Sequence, residues 1–113
     1  MEEKLWLAYG GSTLGKYFIK LLPKAYRDLD EIYQYIYREL QVPITAKNTI
    51  SILEQSILNL EEFQYRCSER KVGIYADKGY RQLFVKNYTV IYRIEEENKF
   101  VIIVTIKYTP SSF

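Results

Sequence analysis

Apolar and polar positions alternate in two rhythms along this chain. Between Lys24 and Leu40 the residues Leu29, Ile32, Tyr33, Ile36, Tyr37 and Leu40 recur at spacings of three and four, the period of one face of an α-helix. Pro23 suits the first turn of that helix, where no N–H is needed. Asp28, Asp30, Glu31 and Arg38 occupy the rest of its surface. Gln41-Val42-Pro43 breaks the pattern, because proline disfavours helix at the residue before it. A second stripe, Ala46, Ile50, Leu53, Ile57 and Leu60, predicts another helix reaching about Phe63. The short connection between the two implies an antiparallel helical hairpin.

Elsewhere the rhythm is two. Lys16–Leu22 reads as a first strand with Tyr17, Ile19 and Leu21 on one face. The run from Gly79 to Ile94 reads as two strands, Tyr80–Val85 and Tyr88–Ile94, around a turn at Lys86-Asn87. If Val90, Tyr92 and Ile94 face the helices, then Thr89, Ile91 and Arg93 face the other side. Glu95 to Asn98 is an acidic turn. Lys99–Tyr108 is the last strand, ended by Pro110, and its β-branched and aromatic stretch Phe100–Ile106 argues for burial on both faces. Gln64–Lys78 has weak periodicity and many charges, and reads as a loop. The expected fold class is α+β, in the order β-α-α-β-β-β: an N-terminal strand, the helical hairpin, then a three-stranded antiparallel meander. Residues 16–113 form one domain. Residues 1–15 are a separate extension, in which apolar Leu5–Tyr9 reads as a short strand or tail and Gly10-Gly11-Ser12-Thr13 as a flexible connector.

Composition narrows the chemistry. A chain of 113 residues has room for one core. Cys67 is its only cysteine, so an intramolecular disulfide is excluded and a reducing, cytoplasmic setting is favoured. There is no histidine, which removes the commonest general base and the commonest metal ligand, and no metal or cofactor is expected. No apolar run is long enough to span a bilayer, and Glu2 and Glu3 stand where a secretory signal has positive charge. The net charge of +2 is unevenly spread. Residues 23–63 hold four Lys/Arg against seven Asp/Glu, and residues 64–93 hold seven against two. The hairpin therefore places Arg81, Lys86 and Arg93 where a sheet could present them to a polyanion. Lys78, in the loop before it, is a further phosphate-binding candidate or a solvated charge.

The stretch Ile19-Lys20-Leu21-Leu22-Pro23-Lys24-Ala25-Tyr26-Arg27-Asp28-Leu29, continuing to Ile36, resembles the opening of RelE/ParE-type toxins: a short strand, a proline, then a helix of the flavour A-x-x-D-L-x-x-I-x-x-Y-I. Arg81–Ile94, RQLFVKNYTVIYRI, resembles that family's R-x-L-x-V-x-x-Y-x-V-x-Y-R-hydrophobic stretch. The resemblance covers about residues 16–108 and rests on three loose motifs in the right order. It implies the toxin of a type II toxin–antitoxin module, such as a plasmid-stabilising one, which inhibits bacterial growth until a cognate antitoxin neutralises it. The target would be DNA gyrase for a ParE-like member, or ribosome-bound mRNA for a RelE-like one. Operator DNA would be reached only through the antitoxin. The alternative is a degenerate toxin that acts as a binding module and co-repressor.

Metal-independent RNA cleavage needs a base for the 2′-hydroxyl, cations for the developing phosphorane charge and an acid for the leaving oxygen. The resemblance nominates Arg81, Arg93, Lys107 and Tyr108 for those roles, with Arg81 on the exposed face of the sheet and Lys78 and Lys86 as added phosphate contacts. Thr89 stands where the nuclease members often carry arginine. The tail after Tyr108 ends in Phe113, which cannot exchange a proton. The mRNA endoribonuclease centre is thus expected to be incomplete, and ParE-like action by binding is the better fit.

Overall fold

The computed structural model describes residues 17–109. Strand β1 (Phe18–Leu21) leads into helix α1 (Pro23–Gln34), which continues as a π-helical turn at Tyr35–Glu39. Helix α2 (Pro43–Leu58) and a single further turn, α3 (Leu60–Phe63), follow. A loop containing a short 3₁₀ turn, Gly73–Tyr75, precedes β2 (Arg81–Val85), β3 (Tyr88–Glu95) and β4 (Phe100–Tyr108). The sheet order is β1-β4-β3-β2. The last three strands form the expected antiparallel meander, and β1 joins it in parallel alongside β4. The predicted extension, residues 1–15, and the end of the chain beyond Thr109 lie outside the described residues.

One face of the sheet carries the core. Ile19 and Leu21 of β1, Val90 and Tyr92 of β3, and Val101, Ile103 and Ile106 of β4 meet Ala25 and Leu29 of α1 and Leu53, Ile57 and Leu60 from the second helical segment. The alternation expected for β3 is the one observed, with Val90, Tyr92 and Ile94 toward the helices. Pro23 and Pro43 each open a helix at a position whose N–H has no intrahelical partner.

Three sequence expectations change. The stripe of α1 is narrower than its spacing suggested: Tyr37, in the π turn, and Leu40, just after it, are exposed. The second helix does not run unbroken to Phe63 but is interrupted at Asn59. Asp28, assigned by pattern to the polar surface, is buried. The register of β3 and β4 passes from Ile91↔Thr105 to Tyr92↔Ile103, leaving Val104 as a bulged residue. Just past the bulge β1 has ended, and the Asp28 carboxylate takes the place of a strand. It accepts the Ile106 N–H at 2.9 Å and the Thr105 hydroxyl, while Lys24 Nζ donates to it at 3.0 Å. A helix thereby satisfies the backbone edge that β1 leaves bare.

Candidate functional site

The helices and the tip of the sheet do not close on each other. Between them lies a groove of about 560 Å³, walled by Glu31, Ile32, Tyr35, Ile36 and Leu40 of the α1–π segment and Thr45 of α2. Asn87 in the β2–β3 turn, Tyr88, Ile106 and Tyr108 form the opposite wall, and Asp28 lines it as well. The groove exists because two sequence features diverge there. The π turn widens α1 by one residue per turn, and Gln41 at φ 55 then reverses the chain into α2. The β2–β3 turn, with Lys86 at φ 54, ends the sheet at the same level.

Phenols dominate this surface. The rings of Tyr88 and Tyr108 meet edge-on with centroids 5.6 Å apart. Tyr88 is half-buried, and desolvation, followed by the neighbouring Tyr108 and Tyr35 phenols, raises its pKa above the ordinary tyrosine value. It stays protonated at neutral pH, a hydrogen-bond donor and not a base. Tyr35 and Tyr108 are 57% and 64% exposed, and Leu40, Val42 and Ile44 continue the apolar surface along the start of α2. Large phenolic and aliphatic groups open to solvent, with the Glu31 carboxylate among them, form a surface able to hold an amphipathic segment.

The residues nominated for nucleolytic chemistry do not converge. Arg81 pairs across the sheet with Tyr92 and so lies on the helix-facing side, contrary to the exposed placement expected for it. Its guanidinium donates to the Cys67 carbonyl and sits 5.1 Å from the centroid of the Tyr65 ring, which ties it beneath the loop. Arg93 and Lys107 are exposed on the opposite face, at the level of Ile102 and of Thr89 respectively. Four residues of strand, about 13 Å, separate those levels. Tyr108 belongs to the groove on the helix side. Lys86 is exposed in the β2–β3 turn and Lys78 in the preceding loop. Thr89 is fully buried, its hydroxyl against that of Thr109.

Sequence reasoning missed Tyr35 and undervalued Tyr88, since each could equally be a packing residue. Their spacing carries no mark of the groove, which forms only when β4 ends beside the π turn. Among the described residues no helix is long and apolar enough to cross a membrane.

Residues 19–109 match the family model described as the ParE toxin of the type II toxin–antitoxin system parDE. The chain belongs to this toxin family. Its fold is shared with solved structures of related systems. The chromosomal ParDE toxin–antitoxin system from P. aeruginosa aligns at a TM-score of 0.67 and 22% identity, over 80% of this chain and 94% of that one. The toxin–antitoxin complex RelBE2 from Mycobacterium tuberculosis aligns at 0.57 and 19%, over 82% and 98%. No curated protein gives a significant match. This ParE-family chain is therefore a RelE/ParE superfamily toxin of a type II system, with the α+β architecture read from its sequence.

Proposed function

We propose that this toxin arrests bacterial growth in the cytoplasm by binding its target rather than by cutting RNA, and that a cognate antitoxin holds it inactive through the groove. The observation that carries this reading is the separation of the candidate residues onto two faces of the sheet. Acid–base cleavage needs a base, an acid and a cation within hydrogen-bonding reach of one phosphodiester. Here Arg81 is committed to the Cys67 carbonyl, Tyr108 lies on the helix side, and Arg93 and Lys107 lie on the other. Binding requires no such convergence. The structures of related systems contain a toxin with its antitoxin, which supports the same kind of partner for this chain. DNA gyrase is the target this reading favours.

Expression of the chain alone should stop growth, and co-expression of a short neighbouring gene product should restore it. Purified protein should then block gyrase supercoiling and leave ribosome-bound mRNA intact. Specific mRNA cuts with unaffected supercoiling reverse the assignment of mechanism. Normal growth at high expression removes the toxin activity altogether and leaves the co-repressor role.

A further inference from the structure

The loop between α3 and β2 carries its apolar groups outward. Ile74, 75% exposed, is the most exposed large hydrophobic side chain among the described residues, and Val72 is 60% exposed. They flank Gly73, whose φ of 77 makes the turn. No atom lies within 4 Å of where a Gly73 side chain would begin, so backbone conformation and not space calls for glycine. This tip stands on a fixed base. The Arg70 N–H donates to the Tyr80 carbonyl at 2.7 Å, the Asp77 N–H to the Arg70 carbonyl at 3.1 Å and the Gln82 N–H to the Ser68 carbonyl at 3.1 Å. The Arg70 guanidinium donates to the Val72 carbonyl at 3.2 Å and to Gln82 Oε1 at 2.8 Å. Tyr75 meets Tyr80 edge-on with centroids 5.0 Å apart. Because the loop is already ordered, burying its tip against a partner costs little further backbone entropy. Exposed aliphatic side chains on an ordered base mark a contact surface.

Building on the target-binding reading above, we propose that the tip Val72-Gly73-Ile74 is a second contact of this toxin with its target, and that its occupant is a protein surface with an apolar pocket bordered by carboxylates. Charge selects that border. Residues 64–81 carry five Lys/Arg against two Asp/Glu, and Lys71 and Lys78 are exposed on either side of the tip in sequence. The engagement of the other cations disfavours a nucleic acid in the same place. Arg70 is held within the loop, Arg81 donates to the Cys67 carbonyl and Arg66 lies over the Phe63 ring. Phosphate recognition rests on free cations, whereas the groups left open at the tip are aliphatic and gain from a dry pocket. The tip is also separate from the groove. The five residues of β2, about 17 Å of strand, stand between the base of the loop and the turn whose Asn87 lines the groove. An antitoxin seated in the groove therefore has no need of the tip.

The deciding variant is the full chain with Val72→Ser and Ile74→Ser together, both at exposed positions, and purified gyrase is the probe. Its half-inhibiting concentration for supercoiling should rise about tenfold or more, while antitoxin affinity by titration calorimetry changes by less than about twofold. Growth arrest should be lost at matched expression. Lys71→Glu with Lys78→Glu should also weaken inhibition and reduce its salt dependence, which keeps the test decisive should the serine variant fail to fold. Parental arrest and parental inhibition in these variants overturn the proposal. Equal loss of antitoxin affinity overturns it as well, since the tip and the groove are then one surface. So does binding of a labelled DNA duplex by the parent that the serine variant loses, which makes the occupant a nucleic acid. If the parent arrests growth without inhibiting gyrase, loss of arrest in the variant still supports the tip, and gyrase alone is withdrawn as the target. A parent that does neither removes the target-binding reading and this contact with it.

Discussion

Asp28 holds three groups at once: the Ile106 amide, the Thr105 hydroxyl and the Lys24 ammonium. Removing it strands a buried backbone N–H as well as losing charge-assisted bonds. Asp28→Ala should therefore lower stability by about 2–3 kcal/mol in urea unfolding, and Asp28→Asn, which keeps an acceptor, by nearer 1 kcal/mol. An alanine variant within about 0.5 kcal/mol of the parent would show that the edge is satisfied some other way. Tyr92 makes a second such point. It is fully buried and its hydroxyl donates to the Gln64 carbonyl at 2.8 Å. Burial is the main cause that drives its phenol pKa upward, with contact to Cys67 adding to it. The folded state thus holds the Tyr92 proton more tightly than the unfolded chain does. The contribution of Tyr92 to stability should be constant below the ordinary tyrosine pKa of about 10 and fall above it, as the unfolded state ionises first. Tyr92→Phe should flatten that alkaline decline in thermal unfolding measured against pH, at a cost of about 1 kcal/mol at neutral pH from the lost hydrogen bond. In the groove, Tyr35 and Tyr108 offer large exposed rings. Replacing either with alanine should weaken antitoxin binding by about tenfold or more, as isothermal titration would show, without loss of fold.

The π turn is the element that makes the groove. It carries Tyr35 and Ile36 into the wall and delivers the chain to Gln41, which must adopt a left-handed conformation at φ 55 to start the reversal. Glutamine gains nothing there that glycine would not supply without strain. Gln41→Gly should raise stability by about 0.5–1 kcal/mol by denaturant titration; a decrease would mean that the glutamine side chain makes a contribution of its own. The two helices and the meander were legible because each depends on local periodicity. Their irregularities were not. The bulge at Val104 answers to Asp28, which lies far away in the chain, and Tyr37 is exposed within the π turn. Neither leaves a mark in the spacing of apolar residues.

At the scale of the molecule, the sheet separates two surfaces with different prospects. The helix side opens into a phenolic groove, and the outer side presents Lys20, Arg93 and Lys107. If target binding uses the groove or its margins, the antitoxin and the target compete for one region. A preformed complex with the antitoxin should then fail to inhibit supercoiling, while charge reversal at Arg93 or Lys107 leaves both activities intact. Arrest abolished by Arg93→Glu in a folded protein would move the functional surface to the outer face. Both outcomes are read by growth and supercoiling assays.

Periodicity and proline placement were enough to read the element order and the fold class, and three loose motifs carried the resemblance to the toxin family. Element order is set by local spacing, which each segment carries in its own residues. The candidate site was a different matter. Arg81, Arg93, Lys107 and Tyr108 are neighbours in the list of chemically able side chains, and pairing across the strands distributes them over opposite faces. Whether side chains meet depends on register, on the bulge and on where the sheet ends beside the π turn. These are relations between segments remote in sequence, fixed by packing and edge hydrogen bonding, and only the folded arrangement expresses them.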